Sequence, residues 1–189
     1  ARGFGYLDAP VSGGAAKAMS GEMSIMASGA PEAFERTQTV LDAISAKVFT
    51  LGDQAGNGSK MKLVNQLLAG VHIAAAAESL NLAAKMDMDL HEVIDVISHC
   101  AGTSWMFENR GPHIADGDYS PLSTVDIFVK DMGIVTGEAA HIGATTPLSE
   151  AAQSLYQAAS NLGLGQEDDS AVVKLLAQQS NTTLPGSGQ

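Results

Sequence analysis

The sequence is poor in cysteine and in basic residues, and both shortages limit what the protein can be. Cys100 is its single cysteine, so no internal disulfide can form, and a reducing compartment is the best fit. Ten lysines and arginines stand against 21 aspartates and glutamates, a formal net charge of −11. This balance argues against a nucleic-acid partner and against an anionic membrane surface. We therefore expect a soluble, acidic, cytoplasmic protein.

Export and membrane signals are also missing. No N-terminal segment joins a basic start to an apolar run, as a secretory signal does. The longest alanine-rich stretch carries Lys62, Asn65, His72 and Glu78, and polar residues of this kind argue against a membrane span. Hydrophobic residues make up 45% of the 189, which is enough to fill a sizeable core.

Residues 1–52 predict strand, strand, helix and strand. "GEMSIMASG" is a short apolar strand bounded by glycines, and "AKVFTLG" is another. Between them, "PEAFERTQTVLDAIS" opens with Pro31 at a helix start and repeats Phe34, Thr37, Leu41 and Ile44 at helical spacing. This order is typical of the last part of an α/β sheet.

After Gly58 every segment predicts a helix, so the fold class is mostly α. Residues 59–86 form one long helix, with a hinge at "GDQAGNGSK" before it. Asp89 is an N-cap, Thr146 precedes Pro147 at a helix start, and Asp168 or Asp169 caps a last helix to about Gln179. We expect a sheet remnant at 1–54, an all-α domain at 55–180 and a disordered tail at 181–189.

Two short stretches carry candidate chemistry. Ser12, Gly13 and Gly14 place a hydroxyl and backbone N–H groups on a small turn that could hold an anion, although plain turn chemistry is the commoner role. Lys62 and Gln66 are four residues apart and share one helix face. Burial disfavours the charged form of a lysine, so Lys62 could exchange protons near neutral pH. From spacing alone, a surface lysine at the first turn of an amphipathic helix is the better explanation.

Other polar residues have ordinary explanations. Lys130 can pair with Asp126, four residues earlier on the same helix. Arg110, with Trp105, could line a pocket and bind a carboxylate through two hydrogen bonds, although such Trp–Phe clusters are commonly core. Cys100 is expected to be a buried structural thiol, and "GQEDDS" a charged helix start. The histidines lack metal-ligand spacing; they are His72, His91, His99, His113 and His141.

Four segments, taken in order, resemble a known family. "DAPVSGG", "GEMSIMASG", "GNGSKMKLVNQ" and "FVKDMGI" occur with the order and spacing of the signature segments of the β-hydroxyacid dehydrogenases. "GLGQEDDSAVVK" is similar to the family's C-terminal pattern. "AAAAESL", "SWMFENR" and "VDIFVKD" look closest to the L-threonate dehydrogenases, a branch that acts on four-carbon sugar acids.

The resemblance implies a role for the turn and for the lysine. In the family, the positions of Ser12, Gly13 and Gly14 hold the substrate carboxylate, and the position of Lys62 is the catalytic lysine. The implied activity is oxidation of a small hydroxy acid, either a four-carbon sugar acid or an acid like 3-hydroxyisobutyrate. Residues 1–52 then correspond to the last strands of a Rossmann domain, whose GxGxxG half is not among these 189 residues.

Three further positions follow from the same resemblance. Gln66 falls where most members carry a substrate-positioning asparagine, and Asn65 takes a position that is histidine in the phosphogluconate branch. Lys130 matches a lysine near the nicotinamide end of the cofactor. The implied cofactor is NAD or NADP, with NAD favoured and no metal, and the implied assembly is a homodimer or a higher homo-oligomer.

Two alternatives stay open. The chain could be a non-catalytic fragment or dimerisation module that binds no cofactor. It could instead be a decarboxylating enzyme like the phosphogluconate dehydrogenases, although Asn65 and the acidic balance count against this reading.

Overall fold

The computed structural model describes residues 4–186. They form two compact units, and the division falls between Asn65 and Gln66. It lies inside the long helix, later in the chain than the glycine-rich stretch at which the sequence places the change from mixed to helical structure. The domain bounds remain a prediction, so each unit is described by itself.

The first unit is a small α/β sheet with four strands, two helices and the start of a third. Its elements are β1 (Leu7–Asp8), β2 (Val11–Ser12), α1 (Gly14–Ser20), β3 (Met23–Gly29), α2 (Pro31–Ile44), β4 (Ser45–Thr50) and the beginning of α3 (Asn57–Lys85). The sequence predicts all of these except β2 and α1, which are too short to show a period.

Strand β3 is the centre of the sheet. β1 and β2 pair with it antiparallel, with Leu7 opposite Gly29 and Ser12 opposite Ser24. β4 pairs with it parallel, and α2 makes the crossover that a parallel pair needs. Ile25 and Ala27 of β3 form the unit's apolar core with Leu41 of α2. The β3–α2–β4 unit therefore confirms the expected end of an α/β sheet.

The second unit is helical throughout its described part. After α3 come α4 (Leu90–Ser98), α5 (Trp105–Asp116), α6 (Val125–Ile142), α7 (Pro147–Ala159) and α8 (Val172–Ser180), with a π-turn at Ser160–Leu164 and a 3-10 turn at Asp169–Ala171. The predicted fold class, an all-α domain after the last strands of a sheet, is confirmed.

Helices α3 and α6 pack closely in the core of the second unit. A Cβ at Gly70 would overlap the sulfur of Met132, so a larger residue there would displace this buried side chain. Tyr156 is fully buried, donates its hydroxyl to the Gly70 carbonyl oxygen at 2.8 Å, and stacks on Phe128 with ring centroids 5.3 Å apart. One tyrosine of α7 thus ties the backbone of α3 to the apolar face of α6.

Two local expectations were wrong. Helical spacing in the sequence of α6 predicts one apolar stripe that runs from Val125 to Ile142. Ile142 is instead exposed, because it is the helix's last residue before the Gly143 cap. Residues 181–186 are not a disordered tail, since Leu184 is 5% exposed in the core and Lys85 Nζ donates to the Asn181 carbonyl oxygen at 3.0 Å. The last three residues of the predicted tail lie outside the described part.

Helix α3 has the length and mean hydropathy of a membrane-spanning helix, and it is the one helix in the described residues that does. Of its most apolar window, 44% is buried inside the molecule, including Ala74, Ala76 and Ala77. Core helices of soluble proteins pass the same test of length and composition, so one such helix is weak evidence for a membrane span.

Candidate active site

The small turn expected at Ser12 lies directly between a strand and a helix. β2 ends at Ser12, and α1 already begins at Gly14. Gly13 and Gly14 have φ angles of 140° and 68°, which side-chain-bearing residues rarely adopt. A Cβ on Gly13 would also lie 2.7 Å from the Cβ of Lys17. The glycines are therefore required by the backbone, and Ser12 supplies the turn's hydroxyl.

Lys62 and Asn65 lie in the second and third turns of α3, and both side chains are half-buried. Lys62 is neither a fully solvated surface residue nor a core residue. A half-buried lysine can reach a ligand while its apolar stem packs against the protein. This environment is compatible with the proton-transfer role that the resemblance implies, and that role remains a prediction.

Asp8 of β1 caps the start of α3 from about fifty residues away. Its Oδ2 accepts hydrogen bonds from the backbone N–H of Gly56 at 2.9 Å and of Ser59 at 2.8 Å. Its Oδ1 accepts from Ser59 Oγ at 2.6 Å, and Ser28 Oγ donates to Oδ2 at 3.3 Å. Sequence reasoning missed this role. The signal was Gly56, which precedes the helix and has no side chain to cap it.

The pKa of Asp8 lies below its ordinary value. Burial of the carboxyl acts to raise it, and the hydrogen bonds from Ser59, Gly56 and Ser28 together outweigh burial because they favour the charged form. Asp8 is thus a buried carboxylate that stays ionised at neutral pH. Its negative charge at the N-terminus of a 29-residue helix also complements the helix dipole.

In the second unit, Asp131 joins two of the predicted site residues. Gln66 Nε2 donates to Asp131 Oδ2 at 2.6 Å, and Lys130 Nζ lies 3.0 Å from Asp131 Oδ1. The expected pair of Lys130 with Asp126 is wrong. Asp126 instead accepts from Ser160 Oγ at 2.6 Å and from Gln166 Nε2 at 3.0 Å, because the π-turn brings those residues to the start of α6.

Arg110 is not available to a substrate. Its Nε donates to Asp169 Oδ1 at 2.6 Å and its Nη2 to Asp169 Oδ2 at 3.1 Å, all buried. Asp168 Oδ1 lies 3.7 Å from the same Nε and caps the 3-10 turn through the N–H of Ser170. Burial raises the pKa of Asp169 to about 6 against the opposing effect of Arg110. Arg110 thus binds a carboxylate through two hydrogen bonds, as the sequence suggested, but the carboxylate is that of Asp169 and not of a substrate.

The structure also places Cys100, Trp105 and His91, three other residues considered from the sequence. Cys100, expected to be buried, is exposed because α4 ends just before it. Trp105 is 59% exposed at the start of α5, so it is not core. Among the residues that the structure describes, no three histidine, cysteine, aspartate or glutamate side chains could hold a metal ion together. His91 instead pairs with Asp116 at 3.3 Å on the surface.

Two family models match the chain, one for each part of the fold. The model described as the NAD-binding domain of NADP-dependent 3-hydroxyisobutyrate dehydrogenase covers residues 56–176. The chain belongs to this 3-hydroxyisobutyrate dehydrogenase family. A second model, the NAD binding domain of 6-phosphogluconate dehydrogenase, covers residues 1–52. Together they confirm the resemblance carried by the four sequence segments.

Individual relatives agree with the family. The L-threonate dehydrogenase of Pectobacterium atrosepticum is 54% identical over 179 residues, which are 95% of this chain and 58% of that protein. A crystal structure of 3-hydroxyisobutyrate dehydrogenase from Salmonella typhimurium is 54% identical, with a TM-score of 0.87 over 90% of this chain and 60% of that one. The Mycobacterium tuberculosis 3-hydroxyisobutyrate dehydrogenase, titled with L-serine, is 30% identical with a TM-score of 0.80, over the same shares. The chain thus spans about 60% of the length of these relatives.

Both family models describe NAD-binding domains, so the cofactor of the family is a nicotinamide nucleotide. The described residues fit such a cofactor in part. The parallel β3–α2–β4 unit is the repeating piece of nucleotide-binding sheets. In the second unit, Lys130 pairs with Asp131 and has 66% of its side chain exposed. No described strand leads into a GxGxxG turn, so these residues do not supply the pyrophosphate site.

Proposed function

We propose that the complete protein oxidises a small hydroxy acid with a nicotinamide cofactor, and that the substrate is a four-carbon sugar acid such as L-threonate. The observation that carries this proposal is the 54% identity to a protein named L-threonate dehydrogenase over 95% of this chain. The match includes the Ser12 turn and the Lys62 helix, the two features that the chemistry needs. An acid like 3-hydroxyisobutyrate is the second substrate class, because the solved relatives carry that name.

The turn and the lysine divide the work on the substrate. Ser12, Gly13 and Gly14 bind the carboxylate through a hydroxyl and backbone N–H groups. Lys62 takes the proton of the substrate hydroxyl in oxidation and returns it in reduction. The bound cofactor supplies the hydride acceptor for the same carbon. A lysine suits the proton transfer because its amine can release and regain a proton, whereas a guanidinium cannot near neutral pH.

The two amides and Lys130 position the reactants. Gln66 orients the substrate hydroxyl, and its contact with Asp131 fixes which end of its amide carries the N–H groups. Asn65, half-buried and one residue before Gln66, helps to bind the substrate. Lys130 lies beside the cofactor and pairs with Asp131. The carboxylate of Asp131 therefore contacts both the amide of Gln66, which binds the substrate, and the ammonium of Lys130, which binds the cofactor.

For the cofactor we propose NAD over NADP. This preference follows from the resemblance alone, because the residue that distinguishes the two cofactors belongs to the GxGxxG half of a Rossmann domain, which is not among these 189 residues. The 189-residue chain by itself should not bind NAD with useful affinity, because it has no GxGxxG turn after a strand. Micromolar binding of NAD to this chain in a calorimetric titration would contradict that expectation.

For the assembly we propose a homodimer formed through the helical unit. Several large apolar side chains on that unit stand in solvent, among them Leu82, Met86 and Ile134, each more than half exposed. Exposed apolar surface of this kind is typical of subunit interfaces. Light scattering that shows a strict monomer at high protein concentration would contradict the proposal.

A substrate panel tests the activity. The complete protein is assayed with L-threonate, 3-hydroxyisobutyrate and 6-phosphogluconate, each with NAD and with NADP, by absorbance of the reduced cofactor. We expect the highest kcat/KM for L-threonate with NAD. A higher value for 6-phosphogluconate with release of carbon dioxide would favour the decarboxylating alternative. No turnover of any hydroxy acid would contradict the proposed activity itself.

A further inference from the structure

We propose that Asp8 is the positioning residue that holds Lys62 in register with the substrate turn. This inference rests on the proposed function, because it assigns to Asp8 an effect that acts through Lys62. Asp8 stands four residues before Ser12 in the chain and binds the first turn of α3, one turn before Lys62. Asp8 thus links β1, the strand before the substrate turn, to the start of the helix that carries Lys62.

The start of α3 depends on side chains that come from elsewhere in the first unit. Gly56, directly before the helix, has no side chain to accept the N–H groups of the first turn. Those groups go to other residues: the N–H of Ser59 to Asp8 Oδ2, and the N–H of Gly58 to Ser28 Oγ at 3.0 Å. The cap of this helix is therefore a tertiary contact, and it fixes the helix to β1 and β3 rather than only ending it.

Asp8 acts by position and not by chemistry. Its side chain is buried, with the residue 6% exposed, and its two oxygens together accept four hydrogen bonds from Ser28, Gly56 and Ser59. A carboxylate engaged in this way contacts no substrate. Its partners are two backbone N–H groups and two hydroxyls. We call this set of contacts, between Asp8 and residues Ser28, Gly56 and Ser59, the clasp.

A second, independent feature fixes the same turn. A Cβ on Gly58 would overlap the carbonyl oxygen of Met26 and would lie 2.8 Å from that of Asp8. The helix therefore begins in contact with the backbone of both strands, and only glycine allows this. Lys62 follows Gly58 by four residues, about 6 Å along the helix axis at 1.5 Å per residue. A shift at Gly58 is carried along this rigid helix to Lys62.

The expected effect is on the rate of reaction more than on binding. Displacing a catalytic group by about 1 Å can cost on the order of 10²-fold in rate. The hydrogen bonds of Asp8 lie at the base of the helix, one turn before Lys62. Loss of the clasp should therefore lower kcat by roughly 10- to 100-fold and leave the affinity for NAD nearly unchanged.

The test compares three clasp variants with a matched cap variant. Asp8→Ala removes the clasp, and Asp8→Asn keeps an uncharged acceptor. Gly58→Ala displaces the start of α3 from the backbone of β1 and β3 while the Asp8 carboxylate remains. Asp89→Asn is the control: Asp89 Oδ1 caps α4 in the second unit through the N–H groups of His91 at 2.8 Å and Glu92 at 3.1 Å. Each complete protein is assayed with L-threonate and NAD at a temperature at which circular dichroism shows it folded. Hydrogen exchange is followed in the peptide that covers residues 57–60.

We expect a lower kcat in all three clasp variants, with a larger loss in Asp8→Ala than in Asp8→Asn. Hydrogen exchange at residues 57–60 should be faster in all three than in the wild type. Asp89→Asn should keep the wild-type kcat while losing some stability. Folded Asp8→Asn and Gly58→Ala proteins with wild-type kcat would overturn the inference. If Lys62→Ala keeps more than about a tenth of kcat, the proposed function fails as well. If Lys62→Ala is inactive and the clasp variants are fully active, only the role of Asp8 is wrong.

Discussion

Replacing Arg110 with methionine distinguishes a buried ion pair from a substrate-binding arginine. In the structure Arg110 makes two hydrogen bonds to Asp169, with Asp168 close by, and all three residues are buried. Methionine fills a similar volume but leaves two carboxylates without their cation. Removing one partner of a buried pair typically costs about 3–5 kcal/mol, because the remaining charge stays buried and uncompensated.

The size of the effect can be stated as a melting temperature. For a protein of this length, 1 kcal/mol corresponds to a shift of about 2–4 °C. A loss of about 3–5 kcal/mol therefore predicts a melting temperature lower by roughly 6–20 °C. Neutralising the partner as well, in Arg110→Met with Asp169→Asn, removes one of the stranded charges, so the double variant should be less destabilised than the sum of the single ones.

The assay is thermal and urea unfolding followed by circular dichroism, with Arg36→Met as the matched control. Arg36 lies on the exposed face of α2, and a surface change of this kind should stay within about 0.5 kcal/mol. In the complete protein at a temperature at which it is folded, Arg110→Met should keep the KM of the wild type. A stable Arg110→Met protein with a strongly raised KM would refute the ion-pair assignment and restore the substrate-binding role.

Other residues give further tests. Asp8 has a folded-state pKa below its ordinary value of 3.8, so its contribution to stability is present above about pH 4 and is lost as the pH falls through the folded-state pKa. The stability difference between wild type and Asp8→Asn in urea titrations should accordingly be constant near pH 7 and shrink below pH 4; a difference that grows in acid would contradict this sign. Gly70→Ala should cost about 1–3 kcal/mol by pushing Met132 out of its place, and an unchanged urea midpoint would show that α3 and α6 can separate freely. Leu184→Ala should cost about 2–5 kcal/mol as a buried side chain, whereas no loss would mean that residues 181–186 are a tail after all.

Long periodic segments were predictable from the sequence. The stripe of α6 as far as Ala139, the Asp89 cap and the Pro147 start all follow from local rules, and the structure confirms them. Thr146 takes the N-cap position, although its hydroxyl makes no cap hydrogen bond there. Helix type and approximate bounds are set by residues that are near one another in the chain, which is why spacing alone reveals them.

Contacts between distant residues were not predictable in this way. The clasp joins Asp8 to Ser59, and the ion pair joins Arg110 to Asp169 across 59 positions. Residue type indicates that a buried arginine needs an acceptor, but not which carboxylate supplies it. The ion pair of Lys130 shows the same limit. Spacing of i, i+4 predicted Asp126 as its partner, but in the structure Asp126 accepts hydrogen bonds from Ser160 and Gln166.

The family signature supplied what periodicity could not. Lys62 is an ordinary helix residue by spacing, and only the ordered segments around it indicate proton transfer. The structure adds that its side chain is half-buried on a helix whose start is fixed to the sheet. The contact of Asp131 with Gln66, and that of Asp8 with the start of α3, were found only from the structure.

The most direct test of the account is the kcat of Lys62→Ala in the complete protein, with Lys60→Ala as its matched control. Lys60 is exposed and lies two residues earlier on the same helix, so its loss should leave kcat unchanged. General acid–base groups contribute typically about 10²–10⁴-fold, so Lys62→Ala should lose at least that factor while NAD affinity stays nearly constant. Lys62→Arg should fail similarly, because its guanidinium keeps its proton. A Lys62→Ala protein that keeps more than about a tenth of kcat would contradict the account.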